Sequence, residues 1–384
     1  MPFAAGLSEH PITAAGVGEV VGQVLEGLGA GARPPDLAIL FVTSPHAGAL
    51  EDAARTVRTV LGPGALVGCA AETVVGGDRE VEEQAAVSLW AGHTGPVAPF
   101  HLRLETTPDG DTLVGWPDPV PEAPSALLLL ADPFSFPADA FLARAGDDFP
   151  HLPVVGGMAS AARGPGGNRL ALNDRVVDHG AVGAFLGPDV GVATVVSQGC
   201  RPVGDPYAVT KAERNIVYEL AGRPALERLQ DVARGASDDD RRLLGQGVHL
   251  GRVIDEQQAT YDRGDFLIRN LIGADPDNGA IAVGDLVEVG QTAQFQVRDA
   301  TSADEDLREL MSGRMAEAAL LFTCNGRGSR LFGAPDHDAE VVADTLGHRT
   351  VAGMSCAGEL GPVGGRNFLH GFTASVVLLG PRSA

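Results

Sequence analysis

Side chains able to recognise or transform a small molecule crowd into two glycine-rich stretches near the end of the chain. The first reads Asn325-Gly326-Arg327-Gly328-Ser329-Arg330 and directly follows an apolar run, Ala318 to Thr323, that predicts a buried strand. A loop at the end of such a strand is where ligands of α/β units sit. Its glycines let backbone N–H groups approach an anion, and Arg327 or Arg330 offers the planar fork that grips a carboxylate through two hydrogen bonds. The plainer reading is a tight turn carrying solvated arginines. The spacing GxxxxGK[ST] is absent, so the loop is not a P-loop.

The second stretch runs from Thr350 to Leu379 and holds Ser355, Cys356, Glu359, Gly364, Gly365, Arg366, Asn367 and His370 between two β-branched runs. Glu359 suits an amino group, and Arg366 with Asn367 follows two glycines that expose backbone. An amino-acid ligand needs both charge types together, which the two loops supply jointly if the fold brings them into one pocket. The competing role for Arg366 and Asn367 is stabilisation of a turn. Ser355 only grazes a nucleophile elbow: in Gly353-Met354-Ser355-Cys356-Ala357 the closing glycine is Ala357, and glycine and proline follow where a helix is needed. Cys356 and His370 form a thiol and base pair on one reading, and a small buried side chain and a structural histidine on the other. No catalytic residue is assigned. Glu72 follows Val67-Gly68-Cys69 much as Glu359 follows Ala352-Gly353, and Arg269 interrupts an apolar strand, where it faces solvent or meets a carboxylate or ligand.

Three segments must position these loops. The strand Leu37 to Val42, a helix with Leu50, Ala53, Ala54, Val57 and Val60 on one face, the strand Leu66 to Gly68, the turn Gly76-Gly77-Asp78-Arg79 and the strand Ala85 to Trp90 form the first. Ala126 to Leu130, Ala138 to Ala145, Pro153 to Gly156, Gly166-Gly167-Asn168-Arg169 and Ala181 to Leu186 repeat the order, and Phe41 to Gly68 spans the same separation as Leu129 to Gly156. Ala318 to Thr323, Asp338 to Leu346, Thr350 to Gly353, Gly364-Gly365-Arg366-Asn367 and Phe372 to Leu379 make a third copy. A helix with Val17, Val20, Val21, Val24, Leu25 and Leu28 inward precedes them, behind Thr13 as a cap. Between the second and third copies the pattern changes. It predicts a hairpin across Ala212 to Asn215, a helix Pro224 to Val232, a second helix through Arg241 to Leu250, strands at Phe266 to Ile272 and Leu286 to Val297, and a helix from Asp304 whose core face includes Leu307, Leu310, Met311 and Met315.

The chain has 384 residues, 44% of them apolar and 20% charged, enough for two or three cores. A net charge of −22 with scattered basic residues opposes nucleic-acid and membrane-surface partners. The start lacks a basic, apolar leader, and the longest apolar run, Ala126 to Ala131, is too short for a bilayer span. Four cysteines without CxxC spacing read as reduced thiols, with no metal and no cofactor, in a cytoplasmic protein.

NGRGSRLFG, HDAEVVAD and GGRNFLHGFTAS, together with LAILFVTSP and VGCAAE, resemble the wording of the FIST family. The resemblance implies an N-terminal domain over residues 1–221, holding two repeat units, and a C-terminal domain over 222–384 with the third. The fold expected is α/β, repeated β-α-β-β units in two related domains with mixed sheets layered with helices. It also implies a sensor module that binds a small polar metabolite, an amino acid among the options. With no output segment after the last unit, signalling is expected to pass through a separate protein. The alternatives are a thiol- or histidine-assisted hydrolase or transferase at the same loops, and a protein adaptor without ligand.

Overall fold

The computed structural model describes residues 2–108 and 110–382. It folds as two compact bodies. The larger comprises Met1–Val196, Leu307–Leu369 and Thr373–Ala384, and the smaller Ser197–Asp306 with His370–Phe372. The first, second and third β-α-β segments of the sequence all lie in the larger body, so packing groups the chain differently from a cut at 221/222.

Among the described residues the larger body holds three sheets, each built on a parallel strand pair joined through a helix. These pairs are Leu37–Thr43 with Ala65–Ala71, Ala126–Ala131 with Val154–Met158, and Ala318–Cys324 with Val351–Cys356. In each sheet the first strand of the pair also bonds an antiparallel neighbour: Val87–Gly92, Ala181–Leu186 and Thr373–Pro381 respectively. Alternation sends one set of side chains to a common interior and the other outward. Ile39, Phe41, Val67, Leu128, Leu130, Val155, Leu320, Phe322, Ala352 and Met354 make the shared core. The outward sets are covered by helices, so every strand of these pairs is buried on both faces and reads as a continuous apolar run. Thr13–Leu28 and Leu50–Leu61 cover the first sheet, Ala138–Asp148 the second, and His337–Leu346 with Leu307 and Met311 the third. The architecture is α/β, mixed sheets layered with helices.

One glycine per pair is required by this packing. A Cβ at Gly68, Gly156 or Gly353 would lie 2.2, 2.0 or 1.8 Å from the carbonyl oxygen of Leu40, Leu129 or Leu321 on the neighbouring strand, too close for any side chain.

The smaller body is different in kind. Strands Thr292–Arg298, Tyr207–Glu213, Ile216–Leu220, Ala280–Val283, Phe266–Asp275 and His249–Val253 pair antiparallel in that order, and the last pairs back to the first, closing a six-stranded barrel. Closure leaves these strands no open edge. Val209, Val217, Leu250, Ile281, Val283, Phe295 and Val297 fill it, with Ala225, Val232 and Leu243 from the helices Ala225–Gly235 and Asp238–Gln246. Ser237 caps the second of these helices.

Several local expectations are corrected. Thr13 is the first helical residue and Ile12 stands at the cap, with no side-chain cap bond. Leu25 and Val60 are exposed because they sit one position off the buried stripe of their helices. The helix expected to reach Leu250 stops at Gln246, where Gly247 takes a positive φ of 154°, and Leu250 enters the barrel. Met315 is exposed, since its helix ends at Met311. The strand Phe3–Ser8, which extends the first sheet beside Val87–Gly92, lies in the opening residues, where periodicity offers too short a window to predict it.

Candidate functional site

The parallel strands Ala318–Cys324 and Val351–Cys356 end side by side, with Thr323 opposite Ser355 and Cys324 opposite Cys356. A hairpin of Thr73–Gly76 and Arg79–Glu82 adds to the same sheet beside Val351–Cys356, carrying Glu80 and Glu82 to the strand ends. The loop after Cys324 closes over them. Between loop and hairpin lies a cavity of about 20 Å³, walled by Asn325, Arg327, Gly328 and Arg330 on one side and by Glu72, Glu80, Glu82 and Glu83 on the other. Thr323, Cys324 and Ser355 form the base.

Arg327 is the centre of this site and is fully buried. Its Nε donates to Asp338 Oδ2 at 2.6 Å and its Nη2 to Asp338 Oδ1 at 2.8 Å. Thr323 Oγ1 donates to the same carboxylate at 2.8 Å, and His337 Nδ1 lies 3.0 Å from Oδ1. Phe332 stacks on the His337 ring and beneath the guanidinium. Burial alone would raise the Asp338 carboxyl, but the charge and hydrogen bonds of Arg327 hold it ionised, well below the ordinary range. Its place in the first turn of His337–Leu346 adds a favourable helix-end field.

Two of the three Arg327 nitrogens are therefore spent. The third, Nη1, has no partner among the described residues. Opposite it Glu80 is buried, its Oε1 equally unpartnered, and its carboxyl is pushed well above the usual range by burial and then by the Asp338 charge. Asn325 Oδ1 is the third unpartnered group on the wall. Arg330 is also engaged, donating to Glu72 Oε1 at 2.5 Å and to the Asn325 carbonyl at 2.9 Å, and Glu82 accepts from the Ser329 N–H at 2.9 Å. Gly328, at φ 57°, lets Glu82 approach its Cα closely: a Cβ would lie 2.2 Å from Glu82 Oε1.

Of the residues singled out by sequence, Asn325, Arg327, Gly328, Arg330 and Ser355 meet at this cavity, with Gly326 donating its N–H to Cys324 Sγ at 3.4 Å. Ser355 Oγ accepts from the Thr73 N–H at 3.0 Å. Cys356 points into the core, and burial pushes its thiol well above the ordinary range, which argues against it as a nucleophile on its own. Glu359 is fully buried. Its Oε2 accepts from the N–H and Oγ1 of Thr373 at 3.1 and 2.8 Å, its Oε1 has no partner among the described residues, and burial lifts that carboxyl to about 8.

The two loops do not form one pocket. Gly364 and Gly365, both at positive φ, turn the hairpin of Glu359–Val363 and Arg366–His370, which belongs to the sheet of Val154–Met158. Arg366 is exposed over the Phe368 ring, and Asn367 ties off an edge, accepting from the Val154 N–H at 2.9 Å and donating to the Leu152 carbonyl at 2.8 Å. They line a separate open groove of about 530 Å³ against the helix Ala138–Asp148. His370 is buried and falls in the smaller body, so a Cys356–His370 pair is not assembled within either one. Arg269, the other residue in question, meets Asp285 Oδ2 at 2.9 Å. Arg366→Ala is accordingly expected to change stability by no more than about 0.5 kcal/mol in chemical denaturation.

Glu80 and Asp338 escaped the sequence reading. Asp338 lies within the HDAEVVAD string, where an acidic residue in a first helical turn reads as an ordinary end charge. Glu80 alternates with Val81 on a short strand, and both are buried, an arrangement no period reveals.

Two family models match the chain in succession. The FIST N domain matches residues 36–223 and the FIST C domain residues 225–362. The chain belongs to the FIST family. FIST domains are generally taken as sensory, ligand-binding domains of signalling proteins. An uncharacterized protein of Mycobacterium tuberculosis (strain H37Rv) is 42% identical, across 98% of this chain and 99% of its own length. One of Mycobacterium bovis (strain AF2122/97) is also 42% identical, across 98% of each. No helix among the described residues is long and apolar enough to cross a membrane.

Proposed function

We propose that this FIST protein is a cytoplasmic sensor whose cavity at the ends of Ala318–Cys324 and Val351–Cys356 receives the amino group of a small polar metabolite, an amino acid being the leading class, and that it signals through a separate partner protein. The observation that carries the reading is the set of unpartnered groups on one cavity: acceptors Glu80 Oε1 and Asn325 Oδ1, and donor Arg327 Nη1. Arg327 is balanced by Asp338 and Arg330 by Glu72, so Glu82 and Glu83 leave the wall acidic and favour a cation, and Glu80 is a carboxyl that a cation beside it would help to ionise. The free Nη1 accommodates a carboxylate on the same ligand. About 20 Å³ admits an ammonium head and not a whole metabolite. Binding therefore parts the half-exposed Arg330–Glu72 pair at the rim, which gives the site a moving element that a partner can read.

Titration calorimetry with a panel of amino acids and their N-acetyl derivatives tests this. Free amines should bind, N-acetylation should weaken them at least tenfold, and Glu80→Gln should do the same. Burial raises the Glu80 carboxyl in the empty site, so an ammonium beside it should pull its titration back down and release a proton, and the measured heat should vary with buffer ionisation enthalpy. Binding indifferent to both N-acetylation and Glu80→Gln would overturn the reading, as would no binding at all.

A further inference from the structure

The cavity also holds a thiol. Cys324 is half-buried on its base, whereas Cys356, its in-register neighbour on the adjacent parallel strand, is buried just behind it. Neither is in a disulfide. Alternation places both on the face that carries Phe322 and Met354. Neighbouring strands run about 4.8 Å apart, inside the roughly 4.4–6.8 Å Cα separation that a disulfide bridges. The Cys356 Sγ packs closely on Gly157, where a Cβ would come within 2.3 Å of it.

The surroundings of Cys324 suit a nucleophilic sulfur. The Gly326 N–H points at Sγ from 3.4 Å, the buried Glu359 carboxyl lies within electrostatic reach of the thiol, and Arg327, whose Nη1 is buried and unpartnered among the described residues, lines the same cavity. The cavity accepts an occupant of about water's size. Among two-electron oxidants, hydrogen peroxide is among the smallest and comes nearest that limit.

We propose that Cys324 is a peroxide-reactive thiol and Cys356 its resolving partner, so that the cavity registers oxidant through a reversible Cys324–Cys356 disulfide. The ionised fraction of Glu359 takes the Cys324 proton. The thiolate attacks one peroxide oxygen, an S–O bond forms, and the O–O bond breaks. Arg327 Nη1 hydrogen-bonds the departing oxygen, which leaves as water with the proton returned by Glu359. The Cys356 sulfur, still carrying its proton, then attacks the sulfenic sulfur; an S–S bond forms as the S–O bond breaks, and the Cys356 proton passes to the departing hydroxide, which leaves as a second water. Two thiols are oxidised and one peroxide is reduced to two waters. The inference rests on the same cavity but not on its amine ligand.

The test treats the reduced, full chain with hydrogen peroxide under native conditions and reads intact mass and cross-linked peptides. The expected product has lost two hydrogens, links the peptide containing Cys324 to that containing Cys356, and reverts with dithiothreitol. Cys356→Ser should stop at a sulfenic acid on Cys324 that dimedone traps, and Cys324→Ser should show neither product. Peptide mapping of the unaltered chain stands even if a variant fails to fold. A Cys324 that stays reduced while Cys69 or Cys200 oxidises, or a cross-link that forms without Cys324, would overturn the proposal. Failure here leaves the calorimetric test of amine binding untouched.

Discussion

Asp338→Ala should destabilise the larger body by about 3–5 kcal/mol, the characteristic cost of removing one partner of a buried ion pair. At roughly 2–4 °C per kcal/mol for a body of this size, the melting temperature falls by about 10 °C. The cost has three sources. Arg327, with no accessible surface, keeps its charge but loses both hydrogen bonds from Nε and Nη2. Thr323 Oγ1 loses its acceptor, and the Phe332–His337 stack beside the pair loses its anchor. Both tryptophans, Trp90 and Trp116, lie in the larger body, so their fluorescence reports its unfolding alone. Asp338→Leu combined with Arg327→Met should cost less than Asp338→Ala, because no charge is left stranded. A loss below about 1 kcal/mol in Asp338→Ala would mean that water reaches Arg327 freely, and the cavity could not then hold the unpartnered groups on which the ligand reading depends.

The sequence disclosed the frame better than the site. Leu37–Thr43, Ala126–Ala131 and Ala318–Cys324 were legible because burial on both faces makes a strand uniformly apolar, whereas only strand pairing shows that neighbouring backbones meet too closely for a Cβ at Gly68, Gly156 and Gly353. The loop Asn325–Arg330 was legible as the end of such a strand. The partners of its arginines were not. Arg327 meets Asp338 across a turn of chain whose course depends on Gly333 at φ 77° and Asp336 at φ 74°, and Arg330 meets Glu72 from a distant segment. Arg366 shows the converse. Its neighbours Gly364 and Gly365 resemble a binding loop in composition, yet they serve a hairpin turn, and only strand pairing reveals that this hairpin joins a different sheet. Charge type and spacing thus locate a loop; they do not say whether its charges are already answered by the protein.

Glu359 should make the larger body lose stability as pH rises, opposite to the behaviour of most carboxylates. In the folded chain its carboxyl titrates near 8, because burial outweighs the two bonds from Thr373 and the charge of Arg327; in the unfolded chain it titrates near 4.5. Between these values the folded form holds a proton that the unfolded form has released. The contribution of Glu359 to stability is therefore fully present below about 4.5, declines through the window at up to about 1.4 kcal/mol per pH unit, and is gone above about 8. Glu80, raised by burial and by the Asp338 charge, acts in the same direction. Asp338 acts oppositely, but its window lies below 3.8 and leaves this range alone. The smaller body contributes the reverse slope: His249 is kept neutral by burial and the Arg298 charge down to about 4, so its stabilisation is lost as pH falls from 6.5. Urea unfolding followed by tryptophan fluorescence between pH 5 and pH 9 isolates the larger body. The parent chain should weaken steadily across the range, and Glu359→Gln, which keeps the shape and hydrogen bonds to Thr373 without a proton to lose, should weaken much less. Equal slopes would show that Glu359 is hydrated in the folded chain. It could not then be the buried carboxyl that exchanges a proton with Cys324, which ties the pH behaviour of the fold to the chemistry proposed for its cavity.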